Sequence, residues 1–115
     1  MARDELLYLR HILDAINTIE EYLQGVDEKQ FNSTRLLQDG VIRQIEIVGE
    51  AVRHISKDIR KTYSEVPWQD VAGMRDKLIH DYFGVDLEKV WLTAQEDLPV
   101  LKKQVMGILK DYGQE

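Results

Sequence analysis

The chain has 115 residues, 43% of them hydrophobic and 31% charged, with a formal net charge of −6. That length suits one compact domain over residues 1–115, and the composition excludes an intrinsically disordered chain. The absence of cysteine excludes disulfides and thiolate metal sites, and the excess of acids argues against general affinity for nucleic-acid phosphates.

The N-terminus, Met1-Ala2-Arg3-Asp4-Glu5-Leu6-Leu7, carries acids where a signal peptide carries basic residues. No apolar run approaches the roughly 18 residues needed to cross a bilayer, so a cytoplasmic protein without membrane contact is expected. Leu6, Leu9, Leu13, Ile16, Ile19 or Glu20, and Leu23 step by three and four, which predicts a first helix over 4–24. Gly25 is its expected stop, followed by a polar connection, Asp27-Glu28-Lys29.

A second helix is expected to begin with Asn32 or Ser33 as N-cap. It continues through Leu36, Leu37, Val41, Ile45, Val48, Val52 and Ile55 at a 3.6-residue period. Gly40 and Gly49 interrupt it, each costing about 1 kcal/mol relative to Ala, which points to close approach of another backbone, above all at Gly49. Arg53, Lys57, Arg60 and Lys61 against Asp58, with His54 alongside, make a locally cationic stretch. It reads either as a solvated helix end complementing the helix dipole or as a phosphate-attracting patch.

Residues 56–66 read as an irregular or single-turn connection. Pro67 suits the first turn of a third helix over 67–82, with Trp68, Val71, Met74, Leu78 and Ile79 as its apolar set. Gly84 breaks the pattern, and Asp86 is a good N-cap for a fourth helix. Pro99 then divides the remainder into helices over 87–98 and 99–112, or kinks a single one. No period-two run of β-branched residues occurs. The fold class expected is all-α, an antiparallel bundle of four to five helices.

Metal chemistry has little support, since His11, His54 and His80 fall on three different predicted helices with no His-x-x-x-His pair. No cofactor motif is present. Attention falls instead on Arg75-Asp76-Lys77-Leu78-Ile79-His80-Asp81-Tyr82. On a continuous helix, Arg75 and Tyr82 share the side of Leu78, whereas His80 lies about 140° from Arg75 and near Asp76 at i−4. A common site then requires that the helix loosen before Gly84 or that two copies of the chain contribute. The residues alone also admit an ordinary reading: a snorkelling Arg75, a surface Asp76–His80 pair and a core-edge Tyr82.

The spacing Arg75-x4-His80-x-Tyr82, with a polar Asp76, resembles the signature of the HEPN ribonucleases and, within them, the HepT-like toxins. Other blocks agree: Ile47-Val48-Gly49-Glu50-Ala51, Val66-Pro67-Trp68, Ala72-Gly73-Met74-Arg75, Leu78 through Phe83, and Val90-Trp91. The resemblance implies a helical bundle that forms a homodimer, with the two motif helices at a shared cleft. It implies metal-independent cleavage of RNA by Arg75 and His80, supported by Asp76. It also implies a nucleotidyltransferase antitoxin of the MntA type that silences the toxin by AMPylation of Tyr82.

The chemistry is physically sound. The RNA 2′-hydroxyl serves as internal nucleophile. Imidazole, with a reference pKa of about 6.5, exchanges its proton near neutrality, and a permanently cationic Arg75 holds the phosphate. AMP on Tyr82 would oppose RNA by bulk and charge. The contrasting expectations are a non-catalytic helical partner of a nucleotidyltransferase that binds nucleotide or RNA, and a motif that only builds a dimer interface.

Overall fold

A computed structural model describes the backbone of residues 3–80 and 84–114 and the side chains of residues 6–79 and 84–114. Helix α1, Arg3–Leu23, buries Leu9, Ile12, Ile16, Ile19 and Leu23, a three-and-four spacing that gathers them on one face. Full burial of each such side chain contributes about 1.5–3 kcal/mol. Beyond Gly25, the segment expected to be a polar connection forms a short helix, α2, Glu28–Ser33.

The reason for α2 is a capping box. Gln30 N–H donates to Asp27 Oδ1 at 2.8 Å and Asp27 N–H donates to Gln30 Oε1 at 2.9 Å. Asn32 and Ser33 therefore lie inside α2 rather than capping the next helix, and Thr34 marks the boundary. Fully buried Phe31 fixes α2 to the core, its ring 5.5 Å from that of Trp91. Buried Gln38 donates through Nε2 to the carbonyls of Phe31 and Asn32, at 2.9 and 3.1 Å, tying α3 to the last turn of α2.

Helix α3, Arg35–Arg53, is central, packed against α1 along its length. It buries Val41, Ile45, Val48 and Val52, whereas Leu36, counted with them in the periodic pattern, is 83% exposed. Helix α4, Lys57–Thr62, starts at Ser56, whose Oγ accepts the Ile59 N–H.

The helix expected over 67–82 is two pieces, α5, Trp68–Ala72, and α6, Met74–Leu78, parted at Gly73. Ile79 turns to an extended conformation (φ −116°, ψ 119°). The Leu78 carbonyl, which a continued helix would pair with residue 82, instead accepts Asp86 N–H at 2.9 Å. Strand β1, Ile79–His80, pairs antiparallel with β2, Gly84–Val85, placing Ile79 opposite Val85 and His80 opposite Gly84. Gly84 has φ +80°, a conformation that glycine adopts without strain. Two-residue strands are too short to show a period-two pattern, so the sequence did not announce them.

Asp86 caps helix α7, Leu87–Leu92, as expected, accepting Lys89 N–H at 3.1 Å. A π-helical turn over Thr93–Asp97 then leads into α8, Leu98–Asp111. Leu98 N–H donates to Thr93 O, five residues back. Pro99 has no N–H, and its ring would crowd the carbonyl of Gln95 in a regular α-helix. The wider turn relieves that conflict, and the interruption expected at Pro99 takes the form of a π turn between α7 and α8. Helix α8 lies against α1 and buries Leu98, Leu101, Val105, Ile108 and Leu109. The architecture is all-α apart from the short β1–β2 pair. Among the described residues, no helix is long and apolar enough to cross a membrane.

Candidate active site at the end of α6

Successive turns along one face of α3 meet the joint between α5 and α6. A Cβ added to Gly49 would lie 3.2 Å from the Ala72 carbonyl oxygen, so glycine is what lets the two backbones approach. This is the close approach anticipated for Gly49. At Gly40 the neighbour is the Tyr22 ring, at 3.0 Å, and not a backbone. One turn beyond Gly49, Arg53 Nη2 donates to the same Ala72 oxygen at 3.0 Å, while its Nη1 meets Glu50 Oε1 at 2.6 Å.

One turn before Gly49, Glu46 Oε2 accepts the Nε–H of Arg75 at 2.8 Å. Asp76 Oδ1 lies 3.7 Å from Arg75 Nη1, close enough for attraction but too far for a hydrogen bond. The Arg75 side chain is 47% exposed. Among the described residues, no hydrogen bond engages its Nη1–Nη2 end. Arg75 is thus anchored through Nε while the other edge of the guanidinium is available to an anion.

The backbone of His80 pairs with that of Gly84 just beyond the end of α6. The side chain of His80 and the whole of Tyr82 lie outside the described residues. Because α6 ends at Leu78 and Ile79–His80 is extended, the 140° separation of Arg75 and His80 on a continuous helix does not apply, while the side expected to be shared by Arg75 and Tyr82 lies outside the described residues. Of the two ways to form a common site, the helix does loosen before Gly84. Asp76 and His80 are likewise not an i, i+4 helical pair, and the contact observed for Asp76 is with Arg75.

The cationic stretch around His54 resolves largely into structural contacts. Arg60 donates through Nε to Ile55 O at 3.2 Å and through Nη2 to Val52 O at 2.7 Å, tying down the C-terminal end of α3. Arg53 is engaged as described above. The helix-end reading therefore holds for both arginines. His54 stacks on the Tyr8 ring, centroids 4.5 Å apart and planes 12° apart, and Tyr8 meets His11 edge-on at 5.8 Å. Among the described residues, no group of three or more His, Asp or Glu is arranged to hold a metal ion.

A cleft of about 790 Å³ opens between α5–α6 and the π turn, with Val71, Met74, Leu78, Leu92 and Val100 among its lining. Arg75 and Asp76 do not line it, so the motif arginine stands on an open surface beside α3. The residue missed in the sequence is Glu46. Its signal was present: Glu46, Gly49, Glu50 and Arg53 follow at intervals that put them on one helical face.

Comparison with known proteins places this geometry in context. The family model described as ribonuclease HepT-like matches residues 12–108. A Methanocaldococcus jannaschii protein named "Gamma-glutamylcyclotransferase and putative RNase" is 43% identical over 111 residues, 96% of this chain and 50% of that protein. The chain thus spans half the length of that relative. A "Putative RNase" of the same organism is 43% identical over 109 residues, covering 95% of this chain and 94% of the relative. The "Probable ribonuclease HepT" of Thermococcus cleftensis is 44% identical over 102 residues, 89% of this chain and 93% of its own. No solved structure matches. The match over residues 12–108 takes in the all-α scaffold, the α3 face and the whole Arg75–Tyr82 run, and the chain belongs to the HepT-like ribonuclease family.

Proposed function

We propose that this chain, a single HEPN-like domain, is the toxin of a toxin–antitoxin pair. In this reading it is a cytoplasmic, homodimeric endoribonuclease that cuts RNA without a metal ion through Arg75 and His80. The observation that carries the reading is the family match across residues 12–108, which contain the complete Arg75-x4-His80-x-Tyr82 run. The anchored and half-exposed Arg75 supports it.

His80 takes the proton of the RNA 2′-hydroxyl as that oxygen bonds to phosphorus. The bond from phosphorus to the 5′-oxygen breaks, leaving a 2′,3′-cyclic phosphate, and the departing oxygen takes a proton from water, to which the imidazolium later returns its own. Arg75 holds the phosphate by its Nη1–Nη2 edge while negative charge develops. Glu46 and Asp76 keep the arginine's surroundings acidic, so affinity for RNA must come from a larger surface than this one residue supplies. A dimer that doubles the site offers such a surface.

Tyr82 is the proposed point of AMP attachment by an MntA-type nucleotidyltransferase. AMP there adds negative charge beside the phosphate path, which weakens RNA binding by repulsion and by bulk.

Expression of the chain alone should arrest bacterial growth, and co-expression of an MntA-type enzyme should relieve the arrest and add the mass of AMP at Tyr82. Arg75→Ala and His80→Ala should each abolish the arrest. Arrest that persists in both variants would overturn the site. Binding of RNA without cleavage would favour the non-catalytic partner instead.

A further inference from the structure

The ion pair between α3 and α6 supplies something that the motif alone does not contain. An arginine side chain has four rotatable bonds, and one that is half exposed and unanchored samples many rotamers. Arg75 is not unanchored, because Glu46 Oε2 accepts its Nε–H at 2.8 Å. Glu46 is itself well placed to impose a position. It lies one turn from Gly49, where α3 is pressed against the Ala72 carbonyl, and two turns from Arg53, which is bonded to that same carbonyl. The separation of α3 from the end of α5 is thereby set at the Ala72 carbonyl, just before the Gly73 joint. The carboxylate becomes a fixed post beside the third residue after Ala72.

Geometry also decides which edge of the guanidinium is left. A planar guanidinium offers two bidentate edges, one including Nε and one formed by Nη1 and Nη2. Glu46 occupies Nε, and Asp76 Oδ1, 3.7 Å from Nη1, is beyond hydrogen-bond reach, so a phosphate is received end-on through Nη1 and Nη2. We propose that Glu46 is a positioning residue for RNA cleavage, acting through Arg75 by fixing which edge of the guanidinium meets the scissile phosphate. This inference rests on the reading of Arg75 as the phosphate-binding residue.

Charge alone works in the opposite direction. A carboxylate beside Arg75 repels the RNA backbone, so a purely electrostatic Glu46 would hold activity down, and any neutral replacement would raise it. Orientation and charge can therefore be separated by two variants. Gln keeps a carbonyl oxygen that accepts the Nε–H and loses the charge, whereas Ala loses both.

The test is steady-state cleavage of a defined RNA by the full chain in EDTA. Glu46→Ala should lower kcat by about tenfold or more with little change in KM, because a misoriented group is felt mainly in the transition state. Glu46→Gln should restore kcat to within about threefold of the parent, as expected where the accepted hydrogen bond is the operative contact. In an Arg75→Lys background, which has no Nε–H to hold, Glu46→Ala should have no further effect; a loss through general structure would persist there.

Parent-like kcat in Glu46→Ala, faster cleavage in both variants, or equal impairment in Ala and Gln would each overturn the positioning role. Arg75→Ala separates the two levels. Loss of cleavage in Arg75→Ala with parent-like rates in Glu46→Ala removes Glu46 alone. Undiminished cleavage in Arg75→Ala removes the assignment of Arg75 and the role of Glu46 with it.

Discussion

Gly49 shows how one absent side chain positions a site. Replacing a helical glycine by alanine ordinarily stabilises by about 1 kcal/mol. Here the added methyl would press to 3.2 Å from a backbone oxygen that also holds Arg53, so neither partner yields freely. Overpacking of that kind costs about 1–3 kcal/mol. Gly49→Ala should therefore lower stability by on the order of 1 kcal/mol in a urea titration. Gly107→Ala, on α8 with open space around the new methyl, should raise stability by about 0.5–1 kcal/mol. Equal stabilisation by both changes would show that the Ala72 contact does not constrain α3.

A second residue carries a pH signature. Burial, followed by the hydrogen bond to Asp111 and that residue's negative charge, pushes the Tyr63 phenol up to about 12. The hydroxyl donates to Asp111 Oδ2 at 2.9 Å, joining the end of α4 to the end of α8. The folded state thus binds this proton more tightly than the unfolded state. The resulting stability is fully present below the ordinary tyrosine value of about 10 and is lost as pH rises toward 12. Melting temperatures taken from pH 9 to 12 should fall more steeply for the parent than for Tyr63→Phe. Parallel curves would mean that the phenol is not held in its neutral form.

At the scale of elements, Asp86 joins the end of α6 to the start of α7 through two contacts. Its N–H reaches Leu78 O, and its carboxylate caps α7 by accepting Lys89 N–H. Asp86→Ala should cost about 1 kcal/mol through loss of the cap. Amide exchange should quicken at residues 87–90 while α1 and α3 stay protected. Unchanged exchange there would deny Asp86 this role. The long helices were legible because their cores repeat over many turns: α1 buries Leu9, Ile12, Ile16, Ile19 and Leu23, and α3 buries Val41, Ile45, Val48 and Val52.

The short elements were less legible. Helix α2 depends on a reciprocal Asp27–Gln30 bond within a stretch that composition alone describes as polar. The break at Gly73 and the stop at Leu78 depend on α3 and on Asp86, both outside the expected 67–82 helix, so a local period carried straight through them. The site was legible to the same extent. Arg75 and Asp76 stand out as a local pattern, but Glu46 reaches Arg75 only across 29 residues of chain.

At the scale of the whole molecule, a net charge of −6 and an arginine flanked by Glu46 and Asp76 are unusual for a protein that handles RNA. The acidic balance is not uniform: residues 33–83 carry eight bases and eight acids, whereas the segments before and after are acidic. The α3–α6 region is thus the part of the chain least repelled by a phosphate backbone. Its principal arginines are either anchored, as Arg75 is, or used to hold helix ends, as Arg53 and Arg60 are. On the proposed function, catalysis depends on a few placed groups rather than on a broad cationic surface.

The most direct measurement is cleavage of RNA by the purified chain in EDTA, with His80→Ala and Arg75→Ala assayed beside it and their melting temperatures recorded. The parent should cleave with no metal available. Each variant should lose about 100-fold or more, as expected for removal of a proton-transfer group or a phosphate-holding charge, while melting close to the parent. Cleavage at the parent rate by both variants, or parent activity that disappears when metal is chelated, would contradict this account.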